Sequence, residues 1–287
     1  MVLNSKQLGD VELLLLGGLH PLVGFMNESD YNSTITTQRL ASGRPFTLPV
    51  TLDIPDSMAP SIRVGSCLQL IDLYSNPVAY LVVEDMYRPN RVWDAAECYG
   101  TASDVSHPSV AYLLETSGSI YVGGTIFAGR GVSHHDYPDL RLSPTQVKQE
   151  ILRRGAKRVI AFQTRNPLHN AHVSLILDAL ESDPDAIILL HPVVGTTRPS
   201  DVPYATRVET YLALLSQGSL APFSHRIILS VLPLSMRFGG PREAVLHMLI
   251  RKNFGATDII VGRDHAGCKR GDGTGTHSEV LCGRLRL

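Results

Sequence analysis

The sequence predicts an α/β protein with a mostly β first part and a second part built on a doubly wound parallel sheet. Between Met1 and Arg141, short segments of β character are separated by turn-forming Pro, Gly, Asn and Asp. After Leu142, strands of continuous Val, Ile and Leu alternate with amphipathic helices, which is typical of a parallel sheet covered on both faces. We therefore expect one domain over residues 1–141 and another over residues 142–267.

The first part contains one predicted helix and four predicted strands. The segment from Val11 to Leu19 favours a short helix that the Gly17-Gly18 pair would end. The predicted strands run from Phe46 to Leu52, Cys67 to Tyr74, Val78 to Tyr87 and Ser119 to Phe127. Strands this short and this closely spaced favour a small, partly closed barrel. The following His134-His135-Asp136 segment is expected to be a polar linker rather than a metal site, because adjacent residues of an extended chain point to opposite faces.

The second part begins with a helix that Ser143 can cap and that Pro144 can start. Its predicted apolar stripe comprises Val147, Ile151 and Leu152. Gly155 would end this helix. The later predicted strands are Val159 to Phe162, Ala186 to Val194, Ile227 to Leu234 and Asp258 to Val261. The later predicted helices run from the histidine stretch described below, from about Ala205 to Ser216, and from Pro241 to Phe254.

The stretch RVIAFQTRNPLHNAH, from Arg158 to His172, joins a strand to a helix through a polar turn. Pro167 suits the first helical position, where its missing N–H has no intrahelical partner to lose. In a helix that begins there, His169 and His172 share one face of the first turn, beside the free backbone N–H groups. Helix starts of this kind bind anions, so the stretch predicts a phosphate or sulfate site.

Each strand of the predicted parallel sheet leads into a polar turn that carries an arginine. These arginines are Arg165, Arg198, Arg237 and Arg263. In doubly wound sheets, ligands bind beyond the carboxyl ends of the strands. If the strands are parallel neighbours, the four turns meet at one edge of the sheet. The sequence therefore predicts a single anion-binding cleft lined by arginines.

Composition restricts the class of protein and its partners. The chain has 287 residues, of which 44% are hydrophobic and 18% charged, and its net charge is -1. This balance gives no overall field that would attract nucleic acid or an anionic membrane, and no apolar run has the length of a membrane span. The four cysteines form no C-x-x-C pair, which argues against a zinc site or a disulfide framework and favours a reducing compartment. We expect a cytoplasmic protein without nucleic-acid or membrane partners.

Two motifs, QTRNPLHNAH at Gln163 to His172 and GRDHAG at Gly262 to Gly267, closely resemble the ATP sulfurylase family, whose members are also called sulfate adenylyltransferases. The segment from Met236 to Gly267 and the stretch GGLHPLVGFMNESDY near the N-terminus are similar to the same family. The resemblance implies a PUA-like first domain and a nucleotidyltransferase second domain. In that domain the segment from His169 to His172 is the family's form of the H-x-G-H signature, with alanine in place of glycine.

The resemblance stops at Gly267. Relatives continue there through a segment that closes over the nucleotide and a further α/β region, and they also have more sequence before the stretch LNSKQLGDVELL. The resemblance therefore implies a chain truncated at the C-terminus and at the N-terminus, with an incomplete catalytic domain. Residues 268–287 form a divergent tail whose glycines and lack of periodicity predict a loop or a loosely held segment.

Site roles follow from the resemblance, residue by residue. The residues implied in catalysis are Thr164, Arg165, Asn166, His169, His172 and Arg263. Those implied in sulfate binding are Gln163, Arg165 and the backbone of Ala266. Those implied in ATP binding are Gln163, Thr164, Arg165, Asn166, His169, His172, Gly262, Arg263, Asp264 and His265. Both histidines of the signature and Arg263 would stabilise the transition state.

The implied reaction joins sulfate to the α-phosphorus of ATP, which gives adenosine 5'-phosphosulfate and pyrophosphate. Sulfate is already a deprotonated nucleophile, so the reaction needs cations and hydrogen-bond donors more than a base. Arg165 suits a tetrahedral oxyanion, and histidines at a helix N-terminus can donate to phosphate oxygens. Mg²⁺ is expected to accompany ATP with few protein ligands, so no protein-bound metal is predicted. The family also implies a homo-oligomer.

The sequence leaves three alternatives. The chain could be an impaired fragment of this family that binds nucleotide or anion without turnover. It could be another nucleotidyltransferase that uses the same histidine helix with a different acceptor. It could instead bind RNA through its PUA-like part, which the balanced charge disfavours.

Five further polar residues have structural interpretations. Arg237 and Arg242 fit the positioning of a helix start as well as they fit the site. His191 and His247 are expected to be packed side chains rather than catalytic ones. Asp264 is expected to bond backbone or its neighbouring histidine rather than a metal.

Overall fold

The structure, a computed structural model, describes residues 1–262, 265–268 and 283–287. These ranges contain two five-stranded sheets, one in each predicted domain. The first sheet is antiparallel, and the second is parallel apart from one edge strand. In the described ranges no helix combines the length and the apolar character needed to cross a bilayer. The α/β class predicted from the sequence is confirmed.

The first domain is built on a β-sheet, as predicted, and four α-helices accompany that sheet. Its elements are α1 (Ser5–Leu15), β1 (Gly24–Phe25), α2 (Glu28–Thr37), β2 (Leu52–Ile54), β3 (Cys67–Ile71), β4 (Pro77–Tyr87), α3 (Arg91–Tyr99), α4 (Pro108–Ala111) and β5 (Ile120–Ala128). The strand order is β1-β5-β4-β3, and β2 also pairs with β5. The long strands β4 and β5 form the centre of this sheet.

One predicted strand of this domain is wrong in its position. The segment from Phe46 to Leu52 is buried but unpaired along most of its length, and regular pairing begins only with β2 at Leu52. Pro49 has no N–H to donate, so a ladder cannot run through this segment. The carbonyl oxygen of Val50 instead accepts from the Met26 N–H at 3.0 Å.

Capping residues explain two helix starts that apolar periodicity did not reveal. Helix α1 begins earlier than predicted, because Asn4 and Gln7 form a reciprocal capping box. Helix α2 was not predicted, since its sequence ESDYNSTITT has little apolar periodicity. It begins where the Asn27 side chain accepts from the Asp30 N–H, and it buries Tyr31. Helix α3 was also missed.

The second domain has the predicted doubly wound arrangement. Its elements are α5 (Pro144–Arg153), β6 (Arg158–Phe162), α6 (Asn170–Glu181), β7 (Ala186–Leu190), α7 (Tyr204–Ser216), β8 (Ile227–Leu229), α8 (Gly240–Asn253), β9 (Asp258–Val261) and β10 (Gly283–Arg286). The strand order is β10-β9-β6-β7-β8. Strands β9, β6, β7 and β8 are parallel, as the sequence predicts.

The strand order changes direction at β6. Strands β7 and β8 follow on one side of it, whereas β9 lies on its other side. Phe162, the last residue of β6, pairs with both Leu190 and Ile260, so the carboxyl ends of these three strands are level. The turns that follow β6 and β9 leave the sheet on either side of this switch point and form the crevice where such folds bind ligands.

Helix α6 begins at Asn170 with His169 as its N-cap, so the prediction that Pro167 starts the helix is wrong. The reason lies in the preceding turn. The Asn166 carbonyl oxygen would be the first acceptor of a helix starting at Pro167. It instead accepts the hydroxyl of Tyr211 on α7 at 2.6 Å. The chain therefore becomes helical only after His169.

Two smaller predictions in this domain are also corrected. Val147 and Ile151 of α5 are buried, but Leu152 is 77% exposed, because consecutive helical residues point about 100° apart. The predicted loose tail contains strand β10, which pairs antiparallel with β9. Residues 269–282 lie outside the described residues.

Alternation along β6 sends its side chains into two cores. Val159 and Ala161 belong to a core that continues into the first domain, whereas Ile160 and Phe162 belong to a second core under α6 and α7. The first domain therefore packs against one face of the parallel sheet. Its Ser109 hydroxyl donates to a carbonyl oxygen of the turn after β8 at 2.5 Å.

Candidate functional site

The first turn of α6 carries both predicted histidines. His169 is the N-cap, and its side chain makes no capping hydrogen bond. Its ring stacks on that of His172, with centroids 3.7 Å apart and planes 25° apart. The two imidazoles are therefore in direct contact beside the first N–H groups of the helix, which have no intrahelical acceptor.

His172 is held in its neutral form. Burial, and then the charge of neighbouring His169, lower the pKa of His172 below its usual value. Its ring packs against Phe162 with centroids 5.5 Å apart, and its buried Nδ1 has no hydrogen-bond partner among the described residues. Near pH 7 this side chain is therefore an uncharged imidazole with an unused nitrogen.

In the turn after β6, the side chain of Gln163 makes only a weak hydrogen bond. Thr164 Oγ1 accepts from the Asn166 N–H at 3.0 Å, which fixes the turn. Gln163 Oε1 is buried and finds no hydrogen-bond partner in the part of the chain that the structure describes, and its amide nitrogen contacts the sulfur of Met236 at 3.9 Å. A thioether is a weak acceptor, so the Gln163 amide keeps hydrogen-bonding capacity for a ligand.

Arg165 and Arg198, from the turns after β6 and β7, meet at the same place. Arg165 Nη1 lies 2.5 and 2.7 Å from the two carboxylate oxygens of Asp201, which also accepts the Arg198 backbone N–H at 3.1 Å. Both guanidinium groups lie over the ring of Phe238, at 5.4 and 4.7 Å from its centroid. The predicted convergence of strand-end turns is thus confirmed for these two arginines.

Arg237 does not line this cleft, so the prediction that all four arginines line it is wrong for Arg237. Its side chain is buried and pairs with Asp10 of α1, with Nη2 and Oδ1 2.7 Å apart. It therefore joins the turn after β8 to the first domain. Arg242 is also structural, because its Nη1 donates to the Ile35 carbonyl oxygen at 2.9 Å.

The turn after β9 is described only in part. Gly262 is exposed at the end of the strand. Arg263 and Asp264 lie outside the described residues, so their predicted roles stay predictions. Ala266 has a left-handed backbone with φ 57, and its carbonyl oxygen accepts from Gly240 N–H at 3.1 Å. This bond places the loop against the start of α8.

A buried row of polar side chains supports that loop. His247 Nδ1 lies 3.0 Å from His265 Nε2, and its own Nε2 lies 3.3 Å from Glu243. Burial, and then the charges of His247 and Arg251, lower the pKa of His265 to about 3. His247 and His191 are fully buried, as expected for packed side chains. Neither ring nitrogen of His191 has a hydrogen-bond partner.

Three residues of the cleft were not predicted from the sequence. Asp201 pairs with Arg165, and Phe238 contacts both cleft arginines. Arg207 of α7 is buried, its Nε and Nη1 have no hydrogen-bond partner within the described ranges, and burial lowers its pKa. Asp201 and Phe238 lie in irregular turns, where no periodicity marks the direction of a side chain. Arg207 could have been noticed as a charge on the inner face of an amphipathic helix.

No metal site is visible among the described residues, in which no group of three or more His, Cys, Asp or Glu side chains could hold an ion. In the His134-His135-Asp136 segment, which could suggest a metal site, two side chains form ion pairs instead. His134 Nε2 lies 2.7 Å from Glu12, and Asp136 pairs with Arg141 at 2.7 Å. A cavity of about 150 Å³ between the domains is lined by residues such as Lys6 and does not include the histidine pair. The open crevice at the sheet edge is therefore the better candidate for the site.

Comparisons with known families match both domains. The ATP-sulfurylase family matches residues 138–278, and the PUA-like domain matches residues 1–129. The sulfate adenylyltransferase of Saccharomyces cerevisiae is 44% identical over 267 residues, which cover 92% of this chain and 50% of the yeast protein. That of Schizosaccharomyces pombe is 44% identical over 269 residues, which cover 93% of this chain and 54% of the relative. The chain thus spans about half the length of these curated relatives.

One solved structure is similar over most of the chain. It is described as a hexameric APS kinase from Thiobacillus denitrificans, and it matches with a TM-score of 0.73 and 25% sequence identity. The match covers 91% of this chain and 47% of that one. The similarity therefore extends across both domains.

Proposed function

Residues 138–278 of this chain match the ATP-sulfurylase family, and on that premise we propose that the chain carries the sulfate- and ATP-binding core of a sulfate adenylyltransferase. The proposed reaction is ATP plus sulfate to adenosine 5'-phosphosulfate plus pyrophosphate. The observation that carries the proposal is the stacked pair His169 and His172 at the start of α6, at the switch point of the sheet.

The reaction needs no general base. An oxygen of sulfate forms a bond to the α-phosphorus of ATP, while the bond from that phosphorus to the bridging oxygen breaks and pyrophosphate leaves. Sulfate is fully deprotonated at neutral pH, so no proton has to be removed from it. The main obstacle is bringing two anions together, which cations and N–H donors overcome.

Different side chains of the crevice are proposed to bind the sulfate and the phosphates. Arg165 and the amide of Gln163 are proposed to hold sulfate, with help from the backbone at Ala266. His169 and neutral His172 are proposed to donate hydrogen bonds to phosphate oxygens as charge moves toward the leaving group. The uncapped first turn of α6 adds N–H donors and the positive end of the helix dipole. Arg165 must exchange part of its contact with Asp201 for sulfate.

The remaining roles rest on the family relationship. Thr164, Asn166 and Arg263 are proposed at the reacting centre, and residues 262–265 are proposed to line the nucleotide. Mg²⁺ is proposed to arrive with ATP and to neutralise charge on its phosphates. The described residues offer no protein cage for it, so no step assigned here to a side chain depends on the ion.

The wider biology is also a proposal. Cys67 and Cys98 form no disulfide among the described residues, which supports a reducing, cytoplasmic location. A homo-oligomer is proposed because the similar solved structure is described as hexameric. Nucleotide or anion binding without turnover is the second candidate. The chain spans about half the length of its curated relatives.

The test is sulfate-dependent release of pyrophosphate from ATP by this chain. We expect His169→Ala and Arg165→Ala to lower the rate by about 100- to 1,000-fold, the usual loss for one transition-state donor. Matched controls are His225→Ala and Arg153→Ala, since both side chains are exposed and lie away from the crevice. Equal pyrophosphate release with and without sulfate would refute the proposal. Nucleotide binding without turnover would favour the second candidate.

A further inference from the structure

Phe238 connects the two arginines of the cleft, and we infer that its ring is a positioning platform that holds Arg165 and Arg198 ready for sulfate. The inference rests on the proposed function and assigns it a further positioning residue. Phe238 comes from the turn after β8, whereas the two arginines come from the turns after β6 and β7. One side chain therefore aligns three separate turns.

The contacts are those of two cation–π pairs. The centre of the Arg198 guanidinium lies 4.7 Å from the ring centroid, and that of Arg165 lies 5.4 Å from it. Both distances fall within the range of about 6 Å in which a cation is attracted to an aromatic face. The ring is only 3% exposed, so little water weakens the attraction.

An aromatic ring suits this position because it carries no charge. Two arginines held close together repel each other, and a carboxylate is the usual remedy. Asp201 already supplies one carboxylate, which contacts both Arg165 and the backbone of Arg198. A second carboxylate would cancel the positive charge that attracts sulfate. The face of Phe238 orients the guanidinium groups and leaves that charge available.

The backbone of Phe238 is strained, and the surrounding structure maintains the strain. Its φ is 57, a left-handed conformation that is unfavourable for a bulky side chain. Glu243 accepts the N–H groups of the two flanking residues, Arg237 at 2.8 Å and Gly239 at 3.1 Å. These bonds explain how the ring is kept pointing into the second domain.

Side chains of the first domain also hold the backbone at Phe238. His107 Nδ1 accepts the Ser109 N–H at 3.2 Å, so the other ring nitrogen carries the proton when the ring is neutral. That nitrogen, Nε2, lies 3.1 Å from the Phe238 carbonyl oxygen and donates to it. Ser109 Oγ donates to the Arg237 carbonyl oxygen at 2.5 Å. The PUA-like domain thus holds the backbone on both sides of the platform.

Phe238→Leu tests the platform because leucine keeps an apolar side chain at the same backbone angle and removes the π face. We expect the dissociation constant for sulfate, measured by titration calorimetry, to rise about tenfold, as loss of a desolvated cation–π contact implies. If the chain turns over, KM for sulfate should rise by the same factor while KM for ATP changes less than about twofold. Phe238→Tyr should restore the wild-type value.

A matched control separates positioning from loss of packing. Phe254 is equally buried but packs on His191, away from the arginines. Phe254→Leu should lower the unfolding temperature without changing the affinity for sulfate. Equal sulfate affinities of Phe238→Leu and wild type, or an equal loss in Phe254→Leu, would overturn the inference. Should Phe238→Leu not fold, Phe238→Met makes the same comparison. A wild-type chain that binds sulfate without turnover would refute the proposed activity alone, and one that binds no sulfate would refute both.

Discussion

Replacing Asp10 with asparagine should substantially destabilise the protein, because this carboxylate pairs with a buried arginine across the two domains. Asp10 Oδ1 lies 2.7 Å from Arg237 Nη2, and the side chains are 0% and 2% exposed. The variant preserves the shape of the side chain but removes its charge. The buried guanidinium then keeps its bond to the Ser235 carbonyl oxygen at 3.1 Å and loses its carboxylate.

The burial of this ion pair sets the expected loss of stability in Asp10→Asn. Removing one partner of a buried ion pair costs about 3–5 kcal/mol, because the other charge remains in a region without water. The asparagine oxygen can still accept one hydrogen bond from Arg237, so we expect a loss near the lower end, about 3 kcal/mol. For a chain of this size that corresponds to a fall in Tm of about 6–12 °C.

The assay is urea unfolding followed by the fluorescence of Trp93, the single tryptophan of the chain, and by far-UV circular dichroism. The control replaces both partners, as Asp10→Leu with Arg237→Met, and should be more stable than Asp10→Asn because the buried guanidinium is removed together with its carboxylate. A loss below about 1 kcal/mol in Asp10→Asn would refute the reasoning. So would a double variant that is less stable than the single one.

Two further predictions concern pH and close packing. Burial chiefly lowers the pKa of His265 to about 3, so the folded chain keeps it neutral while the unfolded chain takes up a proton near pH 6.5. The contribution of His265 to stability is complete above pH 6.5 and about 2 kcal/mol smaller at pH 5. Burial raises the pKa of Asp94 to about 6, so protonation of Asp94 at pH 5 increases the stability by about 1 kcal/mol. Between pH 7 and pH 5, His265→Gln should lose about 2 kcal/mol less free energy of unfolding than wild type does in chemical unfolding, and equal losses would contradict this. Gly195→Ala should lower the free energy of unfolding by about 2 kcal/mol or more, because its Cβ would lie 2.2 Å from a backbone oxygen. The added Cβ of Gly262→Ala meets none of the described residues within 4 Å, so this variant should unfold like wild type; equal losses in the two variants would show that the close approach does not matter.

The sequence by itself determined the layer architecture and the place of the site. Continuous apolar strands alternating with helices predicted the parallel sheet, because such strands are stable only when both faces are covered. The turn from Gln163 to Asn166 and the spacing of His169 and His172 predicted a polar helix start at the edge of that sheet. These features could be predicted because periodicity and turn chemistry act over a few neighbouring residues.

Only the tertiary structure decided which charges take part in the site. Arg237 has the same kind of position in the sequence as Arg165, yet it pairs with Asp10, which is 227 residues away along the chain. Tyr211, from a different helix, binds the carbonyl that a helix starting at Pro167 would need. The partners of a charged or polar group are chosen by packing between distant segments, and local sequence carries no record of that choice.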